Sequence, residues 1–315
     1  MKRFIFLFAA IALFMGCTNE EQVTDQASNS KMVLTAQAEP MMYGGSIDGG
    51  SLRDAVVVTS PTSNRFYWNS TDVITLLEYH SGGFLGDGNH YGFKYSGESG
   101  TELISKGSFT HVTGNGSMSA DNYMVVYPEG DYTKQSHLAS GKLHYDFPAQ
   151  TTRSDTYDNF GVTDFMYSQF VLSTNSKFTE IDGSAFTFKH AMSWLQISVM
   201  GIPVGETVQS IAVQSNDGIF KGAVELDVSG NVTYTNPVPE IVLTLNDCLT
   251  KSASDTFNCW LTINGDIPAG KPIAIVITTD KASYTVQKTS AAFQPNYYYN
   301  TTLDVTKAGF TRVVK

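Results

Sequence analysis

In YYYNTTLDV (297–305), Tyr297, Tyr299, Thr301, Leu303 and Val305 fall on one face by strict alternation, the period of a strand and not of a helix. Similar short apolar runs recur: MVLTAQA (32–38), AVVVT (55–59), VITLLEY (73–79), YMVVYP (123–128), GAVELDV (222–228), IVLTL (241–245), CWLTI (259–263) and IAIVITT (273–279). Gly, Asn, Asp and Ser break them apart. No stretch sustains a helical stripe through three turns. The expectation is an all-β protein built of sandwiches.

One run is informative within itself. In FTFKHAMSWLQISVM (186–200), Phe186, Phe188, Met192 and Trp194 occupy the even face, whereas Leu195, Ile197 and Val199 occupy the odd one. A strand cannot exchange faces without an extra residue, so a bulge or short break is expected near Trp194. His190 falls on the first apolar face, where a hydrogen-bonded core histidine is the expectation rather than a catalyst. The Gly-Pro turn chemistry of GIPVGETV (201–208) marks the domain boundary, giving an N-terminal sandwich over 32–202 and a C-terminal one over 203–315.

The start of the chain reads differently. Lys2 and Arg3 precede FIFLFAAIALF (4–14), whose helical length of about 16 Å is too short for a hydrocarbon core of about 30 Å. This is the pattern of a secretory signal. Gly16 followed by Cys17 resembles a lipobox, with Phe14 where Leu is usual. Residues 1–16 are thus expected to be a lipoprotein signal peptide and Cys17 the acylated first residue of the mature chain, since two or three acyl chains anchor stably. TNEEQVTDQASNSK (18–31) holds little apolar mass and, with Cys17, reads as a flexible tether over 17–31.

Charge and motifs narrow the function. The net charge of −10 becomes −12 once Lys2 and Arg3 are lost, leaving no basic patch to neutralise phosphates; nucleic acid is not an expected partner. The six histidines show no metal-ligand spacing, and there is no nucleophile elbow, Walker loop or dinucleotide fingerprint. DGNHYGFKYSGE (87–98) places Asp87, Asn89, Gly92 and Glu98 at positions 1, 3, 6 and 12 of a calcium loop. Position 5 is Tyr91, however, and neither flank is an amphipathic helix, so no metal and no cofactor is expected. Trp68, Trp194 and Trp260 each sit in an apolar run and read as core. Cys248 and Cys259 flank LTKSASDTFN between two apolar strands. They would face each other if those strands form a hairpin; a disulfide and two buried thiols are both compatible with the sequence.

Several segments resemble the fimbrillin family of lipoproteins from Bacteroides-type bacteria, in particular its minor-fimbrium-like (Mfa-like) branch. They are NRFYWNSTDVITLLEY (64–79), NYMVVYP (122–128), DFMYS (164–168), FTFKHAMSWLQISV (186–199) and YYYNTTLDVTK (297–307). The resemblance implies two tandem transthyretin-like β-sandwich domains and a non-enzymatic structural or adhesive subunit of a cell-surface fimbria. It implies a lipid anchor in the outer membrane and other fimbrial subunits as partners. It further implies polymerisation by strand exchange, in which cleavage after an arginine lets the first strand leave and a neighbour's C-terminal strand fill the groove.

On that pattern, MVLTAQAEPMMY (32–43) is the removable first strand. Arg53, closing the Gly-rich GGSIDGGSLR, is the first candidate for cleavage and Arg65 the second. The alternative is a monomeric glycan-binding surface lipoprotein using exposed aromatics such as Tyr91, Tyr95 and Tyr297–Tyr299.

Overall fold

The computed structural model describes residues 33–47, 68, 72–80, 83–84, 90–97, 106–113, 122–128, 141–153, 163–171 and 185–315. The strands of the first half are β1 (Val33–Ala38), β2 (Met42–Ser46), β3 (Val73–His80), β4 (Gly83–Phe84), β5 (His90–Tyr95), β6 (Lys106–Thr113), β7 (Asn122–Tyr127), β8 (Leu143–Asp146), β9 (Gln150–Arg153), β10 (Met166–Val171) and β11 (Ala185–His190). Those that follow are β12 (Met192–Met200), β13 (Thr207–Gln214), β14 (Phe220–Leu226), β15 (Val232–Val238), β16 (Glu240–Leu249), β17 (Thr256–Asn264), β18 (Pro272–Thr279), β19 (Ala282–Thr289), β20 (Tyr297–Asp304) and β21 (Phe310–Val314). The all-β expectation holds, and Met32–Lys315 form one compact unit.

The first sheet runs β4-β3-β5-β6-β1-β11-β10-β7, and β7 pairs back onto β3 through Thr75↔Val126 to Tyr79↔Asn122. It therefore closes on itself, with β4 appended to β3. Period-2 alternation sends one residue in two inward from every strand of the ring. Leu34, Ile74, Leu76, Phe93, Phe109, Tyr123, Val125, Phe186 and Phe188 meet there around Trp68. β3 and β7 are apolar on both faces because their outer residues, Leu77, Tyr79, Met124 and Val126, are covered as well. Leu143 of β8 and Val224 and Leu226 of β14 belong to the same cluster; they come from the three-stranded sheet β15-β14-β8.

The second core lies between the four-stranded sheet β17-β12-β20-β2 and the six-stranded sheet β21-β19-β18-β13-β16-β9. Leu195, Ile197, Val199, Leu261 and Leu303 from the first meet Ile211, Leu243, Ile275 and Ile277 from the second, a face-to-face sandwich.

The break expected near Trp194 falls at Ala191, where β11 of the closed sheet ends and β12 of the four-stranded sheet begins. Phe186 and Phe188 face the first core, and Leu195, Ile197 and Val199 the second. The change of sheet thus precedes the boundary drawn at 202–203. Strand pairings also cross that boundary: β2 lies parallel to β20, β9 parallel to β16, and β8 antiparallel to β14.

Of the two readings left open for the cysteines the structure has the thiols, and the exposed aromatics need correction. Cys248 and Cys259 are buried thiols with no bond between them. β16 pairs with β13 and β9 while β17 pairs with β12, so the hairpin that would bring them face to face is not formed. Nor do the tyrosines make an exposed sugar platform. Tyr91, Tyr95, Tyr298 and Tyr299 are buried and Tyr297 is half-buried, because the alternation that marks these strands turns the rings into cores or onto neighbouring sheets. Tyr91, Gly92 and Phe93 of the calcium-like stretch lie in β5 with both rings inward; Asp87, Asn89 and Glu98 lie outside the described residues. Trp68, Trp194 and Trp260 are buried core residues, as read from the sequence.

Candidate functional site: the seat of the N-terminal segment

Residues 33–47 are two strands in two sheets rather than one. β1 sits inside the closed sheet, antiparallel to β6 and parallel to β11. Its outward residues Val33, Thr35 and Gln37 keep some exposure, while Leu34, Ala36 and Ala38 are buried. Size is matched along the seat. Ala36 lies beside Phe186 and opposite Gly107, Ala38 beside Phe188, and Leu34 opposite Phe109. A Cβ at Gly107 would meet the Tyr95 ring at 2.6 Å and Trp68 at 2.9 Å. Trp68 packs edge-on to Phe109 at 4.9 Å and to Tyr127 at 5.3 Å.

After β1 the chain bends at Glu39–Met41 and adds β2 to the edge of the four-stranded sheet, parallel to β20. Met41 packs with Trp194, Trp260 and Tyr298, and Ile47 reaches the second core. The Tyr43 hydroxyl donates to Asn300 Oδ1 at 3.2 Å, and its ring lies 5.1 Å from that of Tyr298. Glycine is required here. A Cβ on Gly44 would fall 2.4 Å from the Tyr299 ring, and Gly45 has φ +118°. The segment therefore runs beside β11 and then beside β20, with β20 between it and β12, and changes sheet where β11–Ala191–β12 does.

The bend is pinned by polar contacts. The Glu39 amide donates to the Phe188 carbonyl at 2.9 Å, and Asn296 Nδ2 donates to Glu39 Oε2 at 3.3 Å. His190 Nε2 lies 2.8 Å from the Glu39 carbonyl oxygen, and its Nδ1 lies 2.6 Å from Asp164 Oδ2. Both side chains of this pair have no exposed surface, so no substrate reaches the imidazole. His190 is a hydrogen-bonded core residue, as its sequence position suggested. The roles of Glu39 and Asp164 were not foreseen; the only pointer was that DFMYS and FTFKHAMSWLQISV stood in the same resemblance.

β1 is one stave of the closed sheet. A closed sheet has no edge; withdrawing β1 would uncover two at once, on β6 and β11, with an apolar trough between them. Each large buried anchor, such as Leu34, Met41 or Ile47, contributes about 1.5–3 kcal/mol gross, an upper bound because the unfolded chain already hides some surface.

At the other end of the chain, β20 lies between β12 and β2. β21 is an edge strand whose Val313 and Val314 are 61% and 63% exposed. Arg312 donates to Glu206 Oε1 at 3.1 Å and to the Tyr284 hydroxyl at 3.0 Å, and Thr279 Oγ1 also donates to Glu206 at 2.7 Å.

Cys17, the signal and the tether, Arg53 and Arg65 all lie outside the described residues. Among the described residues, no group of three His, Cys, Asp or Glu side chains is placed to hold a metal ion.

No protein-family model matches the sequence, and no curated protein does. Among solved structures, a candidate cell adhesion protein from Bacteroides ovatus is similar with a TM-score of 0.51 and 13% identity, over 91% of this chain and 96% of its own. A candidate cell adhesion protein from Bacteroides uniformis gives 0.49 and 14%, over 92% and 98%. The tip fimbrial protein Mfa3 from Porphyromonas gingivalis gives 0.38 and 9%, over 90% and 98%. The first likeness is one of fold. These neighbours are named as adhesion and fimbrial proteins, the group that the sequence segments resemble.

Proposed function

We propose that this chain is a structural and adhesive subunit of a cell-surface fimbria, non-enzymatic, whose N-terminal strands are exchanged for a strand of a neighbouring subunit. The observation that carries the proposal is β1: a short strand, the first among the described residues, that closes a ring of long-range pairings through three small or medium apolar side chains. Cleavage at Arg53 or Arg65 would separate 33–47 from the rest of the chain, leaving them held by non-covalent contacts alone. Strand addition to the uncovered edges would then supply backbone register, and the trough side-chain selectivity.

Export as a lipoprotein through Cys17, with the anchor in the outer membrane, is part of the same proposal and rests on the sequence of residues 2–17. So is the division into two transthyretin-like sandwiches. Its support is the pair of separate cores, with the change of sheet at Ala191 as the better-placed divide.

The donor on this reading is a C-terminal strand. In this chain only residues after β20 could leave without opening the four-stranded sheet. β21 alternates Phe310, Arg312 and Val314 on one face with Thr311 and Val313 on the other. Neither face repeats the three apolar anchors of β1, so donors from other subunits suit the trough better than this chain's own terminus.

The test is limited trypsin digestion of the chain from Thr18 to Lys315, followed by intact mass and by electrophoresis without boiling. Loss of a fragment ending at Arg53 or Arg65, with oligomers resistant to detergent when a donor-bearing subunit is supplied, is the expected result. A chain that resists cleavage and stays monomeric would overturn the exchange mechanism.

A further inference from the structure

The His190 imidazole stands between two acceptors, the Asp164 carboxylate at Nδ1 and the Glu39 carbonyl at Nε2. A neutral imidazole donates from one nitrogen only; the imidazolium donates from both. Glu39 is the residue that follows β1, so the second of these bonds holds the end of that strand. We propose that His190, charged and backed by Asp164, is a latch that seats the C-terminal end of β1, and that its deprotonation loosens the strand. As a control on strand exchange it rests on the function proposed above; as a property of the uncleaved monomer it does not.

The surroundings fit this role. Asp164 Oδ1 makes no hydrogen bond, so the bond from His190 is the one that compensates the buried carboxylate; a buried charge without a partner is costly. Among the described residues, three further titratable groups face the pair. Glu39 comes from the end of β1, and Tyr127 of β7 and Tyr145 of β8 face Asp164. Burial drives both tyrosine hydroxyls to titrate well above their ordinary value of 10.0; at Tyr127 the Asp72 carboxylate that its hydroxyl donates to adds next, and the Asp164 charge adds at both. The remaining face is covered by the Trp194 ring, edge-on at 5.4 Å.

The sign follows from the charges. Burial opposes the imidazolium, but the Asp164 carboxylate, the bond to it and the Glu39 carbonyl outweigh burial and raise the pKa above the ordinary 6.5. A pKa raised on folding means that the stabilisation is complete below about 6.5 and is lost as pH rises through the folded value. β1 is therefore held most firmly in acid and released toward alkaline pH.

The experiment uses the uncleaved chain from Thr18 to Lys315, in which no polymer has to form. Histidine 15N shifts read the charge of His190, assigned by comparison with His190→Gln. Hydrogen exchange with mass spectrometry reads β1 between pH 6 and 9, against β5 of the same sheet as internal reference. The expected result is an imidazolium at pH 6 that titrates above the ordinary 6.5, and a rise of about tenfold in relative β1 exchange across its titration, the loss of one charge-assisted bond. In His190→Gln that pH step is absent. Should that variant fail to fold, Asp164→Asn serves: it keeps a hydrogen-bond acceptor but removes the charge, so the His190 titration moves down. A His190 that titrates below the ordinary 6.5, or β1 exchange that follows β5 at every pH, would overturn the latch. Failure of the trypsin and polymer test with these results intact would overturn strand exchange instead.

Discussion

Gly44 lies against the Tyr299 ring, at the register shift between Tyr43 and Gly45 where β2 is laid on β20. That ring has little freedom to move. Its hydroxyl donates to the Ala292 carbonyl at 2.6 Å and accepts from the Gln294 amide at 3.1 Å, and Phe293 packs 4.4 Å away. Gly44→Ala therefore overpacks a pinned site and is expected to cost about 1–3 kcal/mol, read from urea unfolding. It should leave the closed sheet intact, because β2 belongs to the four-stranded sheet. Nothing in GGSIDGGSLR reveals this. A glycine pair in a Gly-rich stretch reads as a loop, and the ring that makes it a strand comes from a residue far along the chain. His190 is the converse case. Its face and its core character follow from alternation alone, whereas Asp164, which sets its charge state, is brought to it only by the β10–β11 pairing.

At the scale of elements, legibility follows burial. Strands buried on one or both faces, such as β3, β7, β16, β18 and β20, announce themselves as apolar runs, and so does the chain's exchange of faces between β11 and β12. β9 (QTTR) and β15 (VTYTNPV) are edge strands with little apolar pattern; β15 is placed by a hairpin with β14, but β9 is placed by β16, a partner distant in sequence. The closure of the first sheet was hidden for the same reason: it is a register between β3 and β7, not a composition. β21 is another edge element; its own side-chain polar hold runs through Arg312, and Lys315 just beyond it donates to Gln209 and to the Thr279 carbonyl. Arg312→Ala should raise hydrogen exchange in 310–315 while leaving β18 protected, since β18 keeps β13 and β19 as neighbours. Equal loss of protection in both would show that Arg312 supports the whole sheet rather than its last strand.

At the scale of the molecule, the N-terminal segment links both cores: β1 completes one sheet and β2 extends another. On the proposed function, a subunit that stays monomeric until it reaches the surface and assembles afterwards needs a seat that is full in the precursor and can be emptied once. A closed sheet with a terminal stave meets both requirements, because its edges are hidden until that stave leaves. Replacement of β1 is thus the central claim, and a lock across its register tests it. Thr35 of β1 is directly opposite Ser108 of β6, and both face outward. Antiparallel partners have Cα atoms about 4.5–5.5 Å apart, within disulfide reach. The measurement is polymer formation by Thr35→Cys/Ser108→Cys, digested with trypsin and mixed with a donor-bearing subunit, oxidised and then reduced. The account predicts a cleaved but monomeric oxidised chain, and oligomers resistant to detergent on reduction. Oligomers of equal yield with the lock closed would contradict it.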